Sequence, residues 1–307
     1  MNELKLQDSN DIARVVFDGL DVRESTRIDY RYRIKHFLRF VEEQRQFGPN
    51  ILLEYKNALR TDSSMSVATK NKFLTCARTL VREVQRLNPQ FRIQTEVKSF
   101  QQNKKHKVYG LNDAEVLRLC QWMNAHPDKL REHAMLCLLL FQGLREFEVC
   151  NINYYEIDLV EDEMLIRSKG HDDKDVIHLH PQTKLVLERY MQQRKSEMKP
   201  SDTFLFVSKS RKSIHEGLSV RGLRHIIQSI FAEVGIDRTV HGCRHFFTTH
   251  LIKNLDGSLL QVAQFTRHKS VETLQIYNDS IVEKEDVARF QNAFNDVAFY
   301  LAPQPTS

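Results

Sequence analysis

Apolar side chains recur at three- and four-residue intervals along most of the chain, which predicts a mainly helical protein. Tyr30, Ile34, Phe37, Leu38 and Val41 predict one long helix, and a second follows Pro49 through Leu59. Between Ser66 and Leu87 a third carries Phe73, Leu74, Leu80, Val81 and Val84 on one face. Residues 1–100 therefore read as a small all-helical domain. From Asn88 the period is lost, and Pro89 and the Asn103-Lys104-Lys105-His106-Lys107 run mark a basic linker at 101–110. A second domain spans 111–284, opening on a helix capped by Asn112 or Asp113. Its centre is the all-round apolar stretch Ala134 to Phe141, which predicts a buried helix. Gly143 can end that helix in a left-handed conformation, leaving Arg145 at a helix-to-helix turn near the core.

Alternation then replaces the helical period. Ile157-Asp158-Leu159, Met164 to Arg167 and Val176 to Leu179 have strand character and predict a small ribbon with Lys169 in its turn. Helical spacing returns at Ser219 and ends before Gly235, with Leu223, Ile226, Ile227, Ile230, Phe231 and Val234 facing inward. Ser258 and Ser270 stand where they can cap two short helices, the second bearing Tyr277. The tail, 285–307, gathers Val287, Phe290, Phe294, Val297 and Leu301 on one side.

Composition narrows the class. With 307 residues, 41% of them apolar, the chain can bury a core in each of two domains. The run from Ala134 to Phe141 is far too short to cross a bilayer, and the N-terminus has no basic segment followed by an apolar signal core. Five cysteines without Cys-x-x-Cys spacing indicate reduced thiols rather than disulfides or zinc, as expected of a cytoplasmic protein. Charge is unevenly placed: residues 1–108 hold 21 Lys/Arg against 13 Asp/Glu, while the whole chain carries only +5. Arg23, Arg27, Arg31, Lys35 and Arg39 step by four, so their stripe winds around the first helix by about 40° per step. Such a stripe suits a polyphosphate partner, although charge alone describes a solvated face equally well.

Four fragments carry the chemistry: Gly143-Leu144-Arg145-Glu146-Phe147-Glu148, Val240-His241-Gly242-Cys243-Arg244-His245-Phe246, Arg267-His268-Lys269 and Tyr277-Asn278. Singly, each has an ordinary reading. Arg145 could pair with Glu146 or Glu148, the histidines could be structural, and Tyr277 could simply pack. His171 and His250 read as surface or structural residues, and Lys174 competes with Lys169 for the ribbon's cationic role. Together, two arginines, two histidines and a phenol could hold and attack a phosphodiester.

In their order and spacing the fragments resemble the tyrosine recombinases of the phage integrase family. The resemblance implies a mainly α fold with a small β-sheet, made of an N-terminal helical core-binding (SAM-like) domain and a catalytic domain. It implies that Arg145 and Arg244 grip the scissile phosphate, that Tyr277 is the nucleophile and that His241 is its base. Lys169 would protonate the leaving 5′-oxygen, His268 would donate to the phosphate, and Glu148 would orient the turn or its basic neighbours. The implied activity is site-specific recombination through a 3′-phosphotyrosyl intermediate, with no cofactor and no metal. Its implied partners are double-stranded recombination sites, bound by a homotetramer on two paired sites, with no membrane, in a bacterial or phage-encoded setting. A non-cleaving regulator, a topoisomerase and a telomere resolvase are the alternatives. The tail would dock on a neighbouring protomer, so that removing 285–307 abolishes recombination but not single-site binding. Three departures stand out: Arg267 where Gly is common, Phe246-Phe247-Thr248 after the second arginine motif, and Gly242-Cys243 for a bulkier pair.

Overall fold

The computed structural model describes residues 22, 24–44, 47–90, 92–101, 110–168, 173–209, 216–268, 270–279 and 281. The chain divides into two compact units, 1–104 and 105–307. In the first, α1 (Glu24–Gln44), α2 (Ile51–Thr61) and α3 (Val67–Leu87) enclose a core of Ile34, Phe37, Leu38, Val41, Tyr55, Leu59, Leu74, Leu80 and Val81. Those of α1 and α3 are positions the helical period selects, Tyr30 is half-buried at their edge, and Tyr55 and Leu59 are the contribution of α2. Ser66 caps α3, its hydroxyl accepting the Thr69 N–H at 3.2 Å. Asn71 pairs with the main chain of Phe100 in both directions and ties the segment that follows α3 back to that helix. On the same unit, His36 Nδ1 lies 2.9 Å from the Tyr55 hydroxyl. Arg31, Lys35 and Arg39 project from α1 as exposed cations. The linker at 102–109 falls outside the described residues.

The second unit is built around α5 (Leu130–Leu140), buried on all sides as its composition requires. Around it pack α6 (Glu146–Cys150), α7 (Pro181–Glu197), α8 (Val220–Glu233) and α9 (His241–Asn254), with α4 (Asp113–Ala125) opening the unit. Asn112 and Glu115 form a reciprocal capping box on α4, each main-chain N–H meeting the other's side chain at 2.8 Å. Three antiparallel strands, β1 (Ile157–Asp158), β2 (Glu163–Ile166) and β3 (Asp175–His178), pair with Met164 opposite Ile177 and Ile166 opposite Asp175. Met164 and Ile166 face the core while Leu165 is exposed, the two-residue alternation of a sheet with one wet face. Helix α10 (Leu259–Thr266) and the helical segment α11 (residues 271–279) close the unit against α9, around Ile252, Val262 and Leu274.

Helix α7 has no counterpart in the sequence reading. Its buried set is Thr183, Leu187, Tyr190, Met191 and Arg194, so two of the five inward positions are polar and the apolar period is broken. Arg194 Nη2 pairs with Asp202 at 2.9 Å, both side chains nearly inaccessible. Ile226 and Val234, expected in the core, are half-buried at its margin. Ser258 occupies the N-cap position of α10 without a side-chain cap bond, and the Ser270 hydroxyl donates to the Glu272 carboxylate at 2.9 Å. Cys76, Cys137, Cys150 and Cys243 are free and buried; Cys120 is free and half-buried. Among the described residues, no helix is long and apolar enough to cross a membrane. The tail beyond 281 lies outside them.

Candidate active site

Helix α5 ends because Gly143 adopts φ +56°, a left-handed conformation that favours glycine. A Cβ there would stand 2.1 Å from Phe247 Cδ1, so both backbone and space call for glycine. The turn aims the Gly143 carbonyl at Arg244, whose Nη1 donates to it. Two residues on, Arg145 occupies the N-cap of α6. Its main-chain N–H donates to Glu148 Oε2 at 2.8 Å, and its Nη1 to Oε1 at 2.7 Å. Glu148, not Glu146, is therefore its mate. Glu146 instead takes a two-pronged contact from Arg224, at 3.0 and 2.7 Å.

Glu148 accepts a third donor, Arg267 Nη2, at 3.1 Å. Burial pushes the Glu148 carboxyl upward, but Arg267 and Arg145 outweigh it and the net shift is down. The carboxylate is thus charged, buried and shared by two guanidiniums.

Helix α9 supplies the second cation. Arg244 is almost fully buried, and its Nη2 donates to the Thr266 carbonyl as Nη1 does to Gly143. Burial, then Arg145 and Arg267, push its guanidinium down to about 9, so it remains protonated at neutral pH. Three residues earlier, His241 lies exposed on the first turn of the same helix. Its ring meets that of buried His245 edge-on, centroids 4.7 Å apart, and His245 lies 5.1 Å from the Tyr277 ring.

Thr266 ends α10 and serves both sides of the site. Its carbonyl holds Arg244, and its hydroxyl donates to the Val262 carbonyl at 2.8 Å while standing 2.6 Å from His268 Nδ1. Which of the two donates depends on the imidazole's tautomer, and the tautomer with its proton on Nε2 presents that N–H to an anion. Burial, then Arg244, Arg145 and Arg267, push His268 down to about 4, so the ring is neutral at pH 7. Tyr277, 8% exposed, sits on α11 against Ile252, Val262 and Leu274. Burial raises its phenol, and the same Arg244 and Arg145 oppose that rise.

Arg145, Arg244, His268 and Tyr277 are thus brought within electrostatic reach of one another, with His241 at the rim. Lys169 lies outside the described residues, as does His171. Lys174, its competitor, is engaged by the Glu156 carboxylate. His250 is exposed and stacks on Phe246, centroids 5.3 Å apart. Two contributors escape sequence reasoning, Thr266 and the carbonyl of Gly143. A main-chain acceptor leaves no signature in residue type.

The phage integrase family profile matches residues 110–284. The tyrosine recombinase XerD of Listeria innocua is 32% identical over 177 residues, 56% of this chain and 57% of that protein. The tyrosine recombinase XerA of Pyrococcus horikoshii is 30% identical over 152 residues, 49% and 50% of the two chains. The chain thus spans about half the length of the curated relatives it matches. In fold it is similar to the XerH site-specific recombinase in a post-cleavage complex with a palindromic difH substrate. That likeness has a TM-score of 0.73 at 17% identity, over 92% of this chain and 84% of the other. A lambda integrase tetramer bound to a Holliday junction gives 0.67 at 16% identity, over 89% and 78%. A profile that covers more than half of these residues, including Arg145, Arg244, His268 and Tyr277, means that the chain belongs to the phage integrase family of tyrosine recombinases.

Proposed function

We propose that this protein is a site-specific DNA recombinase that cleaves and rejoins strands through a 3′-phosphotyrosyl intermediate. The observation that carries the reading is the pair of arginines, held by main-chain and carboxylate contacts, whose charges act directly on the buried phenol of Tyr277. A guanidinium donates two parallel hydrogen bonds to an oxyanion and stays charged while doing so. In cleavage, the Tyr277 oxygen loses its proton and bonds to phosphorus as the bond from phosphorus to the 5′-oxygen breaks. The departing oxygen takes up a proton and leaves as a 5′-hydroxyl. Negative charge builds on the non-bridging oxygens between these events, so Arg145 and Arg244 bind the transition state more strongly than the substrate.

His241 is proposed as the group that accepts the phenol proton, His268 as a ligand of the phosphate and Lys169 as the proton donor to the 5′-oxygen. The role of Lys169 rests on the family resemblance. Because the phosphotyrosyl link conserves the phosphodiester energy, attack by another strand's 5′-hydroxyl reverses the step without ATP. The N-terminal unit, with its exposed Arg31, Lys35 and Arg39, is proposed to grip duplex backbone. Assembly as a tetramer on two paired sites, in the cytoplasm where the DNA lies, completes the reading.

A nicked duplex that traps the covalent product provides the test. Incubation with the full-length chain is expected to yield an adduct stable in detergent, absent for Tyr277→Phe although that variant still retards the DNA. Retardation without adduct for the unaltered chain would instead identify a binding regulator. Exchange between two labelled duplexes then separates recombination from relaxation.

A further inference from the structure

The family pattern has glycine before the last histidine, and here that position is Arg267. The structure gives this departure a site. Arg267 has φ +54° and ψ +43°, the left-handed conformation in which glycine is favoured and an arginine is strained. Its side chain nonetheless turns inward, only 10% exposed, and reaches Glu148 Oε2 at 3.1 Å. A second nitrogen, Nη1, donates to the Phe265 carbonyl at 3.2 Å, and Nε is buried with no acceptor among the described residues. A surface charge kept for solubility would not be folded into the site at the expense of its own backbone.

Without Arg267, the buried Glu148 carboxylate would largely cancel Arg145, the guanidinium it touches at 2.7 Å. With Arg267 on the other oxygen, the carboxylate is balanced from both sides. Among these four side chains, Arg145, Arg244 and Arg267 against Glu148 sum to +2, with Asp175 acting on Arg267 alone, and the two arginines that act on Tyr277, Arg145 and Arg244, keep their charges. A phosphodiester under attack by a phenolate carries two negative charges at its transition state, one from each partner. The match is to that state, not to the singly charged ground state.

We infer that Arg267 is a positioning residue for strand cleavage: it balances Glu148 so that Arg145 keeps its charge for the scissile phosphate. This rests on the recombinase reading above. Its effect falls on the rate of cleavage more than on affinity, and it acts through Glu148 rather than by touching DNA.

The test uses a nicked duplex built on the sequence that the full-length chain selects from a random pool, under single turnover with protein in excess. Arg267→Gly relaxes the left-handed residue and so keeps the backbone, while Arg267→Gln keeps the side-chain volume. Both are expected to bind the duplex within about threefold of the unaltered chain and to form adduct about 10- to 100-fold more slowly. The decisive variant is Arg267→Gln combined with Glu148→Gln. Once the carboxylate's charge is gone the balancing arginine is unnecessary, so adding Arg267→Gln to Glu148→Gln is expected to slow adduct formation by less than about threefold relative to Glu148→Gln alone. Adduct formation at the unaltered rate in both single variants would overturn the inference. An Arg267→Gln loss as large in the Glu148→Gln background as in the unaltered chain would do so too, by making Arg267 a packing residue or a direct phosphate ligand. If the unaltered chain forms no adduct, the recombinase reading fails and takes this one with it, an outcome distinct from the other two.

Discussion

At the scale of single residues, Arg244 is held by two main-chain carbonyls, those of Gly143 and Thr266. Its position is thereby fixed by the course of the backbone rather than by any one side chain. His268 Nδ1 meets a single hydroxyl, that of Thr266, at 2.6 Å. Thr266→Val keeps the carbonyl under Arg244 but deletes that hydroxyl. It is expected to slow adduct formation about tenfold and to let the imidazole proton exchange between Nδ1 and Nε2, readable in nitrogen NMR of the ring. The same histidine predicts a pH dependence. Its folded value near 4 lies below its unfolded value near 6.5, so the unfolded chain binds more protons in that window. The stability contributed by neutral His268 is present above pH 6.5 and lost as the pH falls toward 4. Denaturant midpoints between these limits should decline less steeply in His268→Gln than in the unaltered chain.

At the scale of elements, boundaries were legible wherever a local signal marked them. Ser66, Asn112 and Ser219 cap their helices through side-chain bonds, and Gly143 ends α5 as its place after an apolar run suggests. Helix α7 was not legible, because Arg194 and Thr183 hold inward positions, the arginine against Asp202, a partner that the helix's own pattern does not reveal. Gly143 also shows how an element's end can decide a distant residue. Gly143→Ala would force an L side chain to φ +56° and drive its methyl into Phe247. The expected loss is roughly 2–4 kcal/mol of unfolding free energy, measured by urea denaturation. In a Phe247→Ala background the collision is gone, and the remaining loss should shrink to roughly 1–2 kcal/mol.

At the scale of the whole molecule, the four sequence fragments spread over more than 130 positions converge on Tyr277, and order and spacing alone had grouped them. What the sequence could not convey is the carboxylate common to Arg145 and Arg267, since Glu148 and Arg267, 119 positions apart, share no local pattern. Charge is divided as well, with the basic excess confined to the first 108 residues. If those cations meet phosphates, affinity should fall linearly in logarithmic salt. Replacing Arg31, Lys35 and Arg39 together by glutamine should flatten that slope by about 0.9 for each phosphate no longer neutralised, as titrations from low to moderate salt would show. The buried cysteines have a practical corollary. Cys76 belongs to the first unit and Cys137, Cys150 and Cys243 to the second, each thiol shielded from alkylating reagents and less acidic than usual through burial. Their labelling can proceed only as fast as the surrounding structure opens. The protein therefore carries a chronometer in each half, and Cys243, next in sequence to Arg244, times the helix on which that arginine rides.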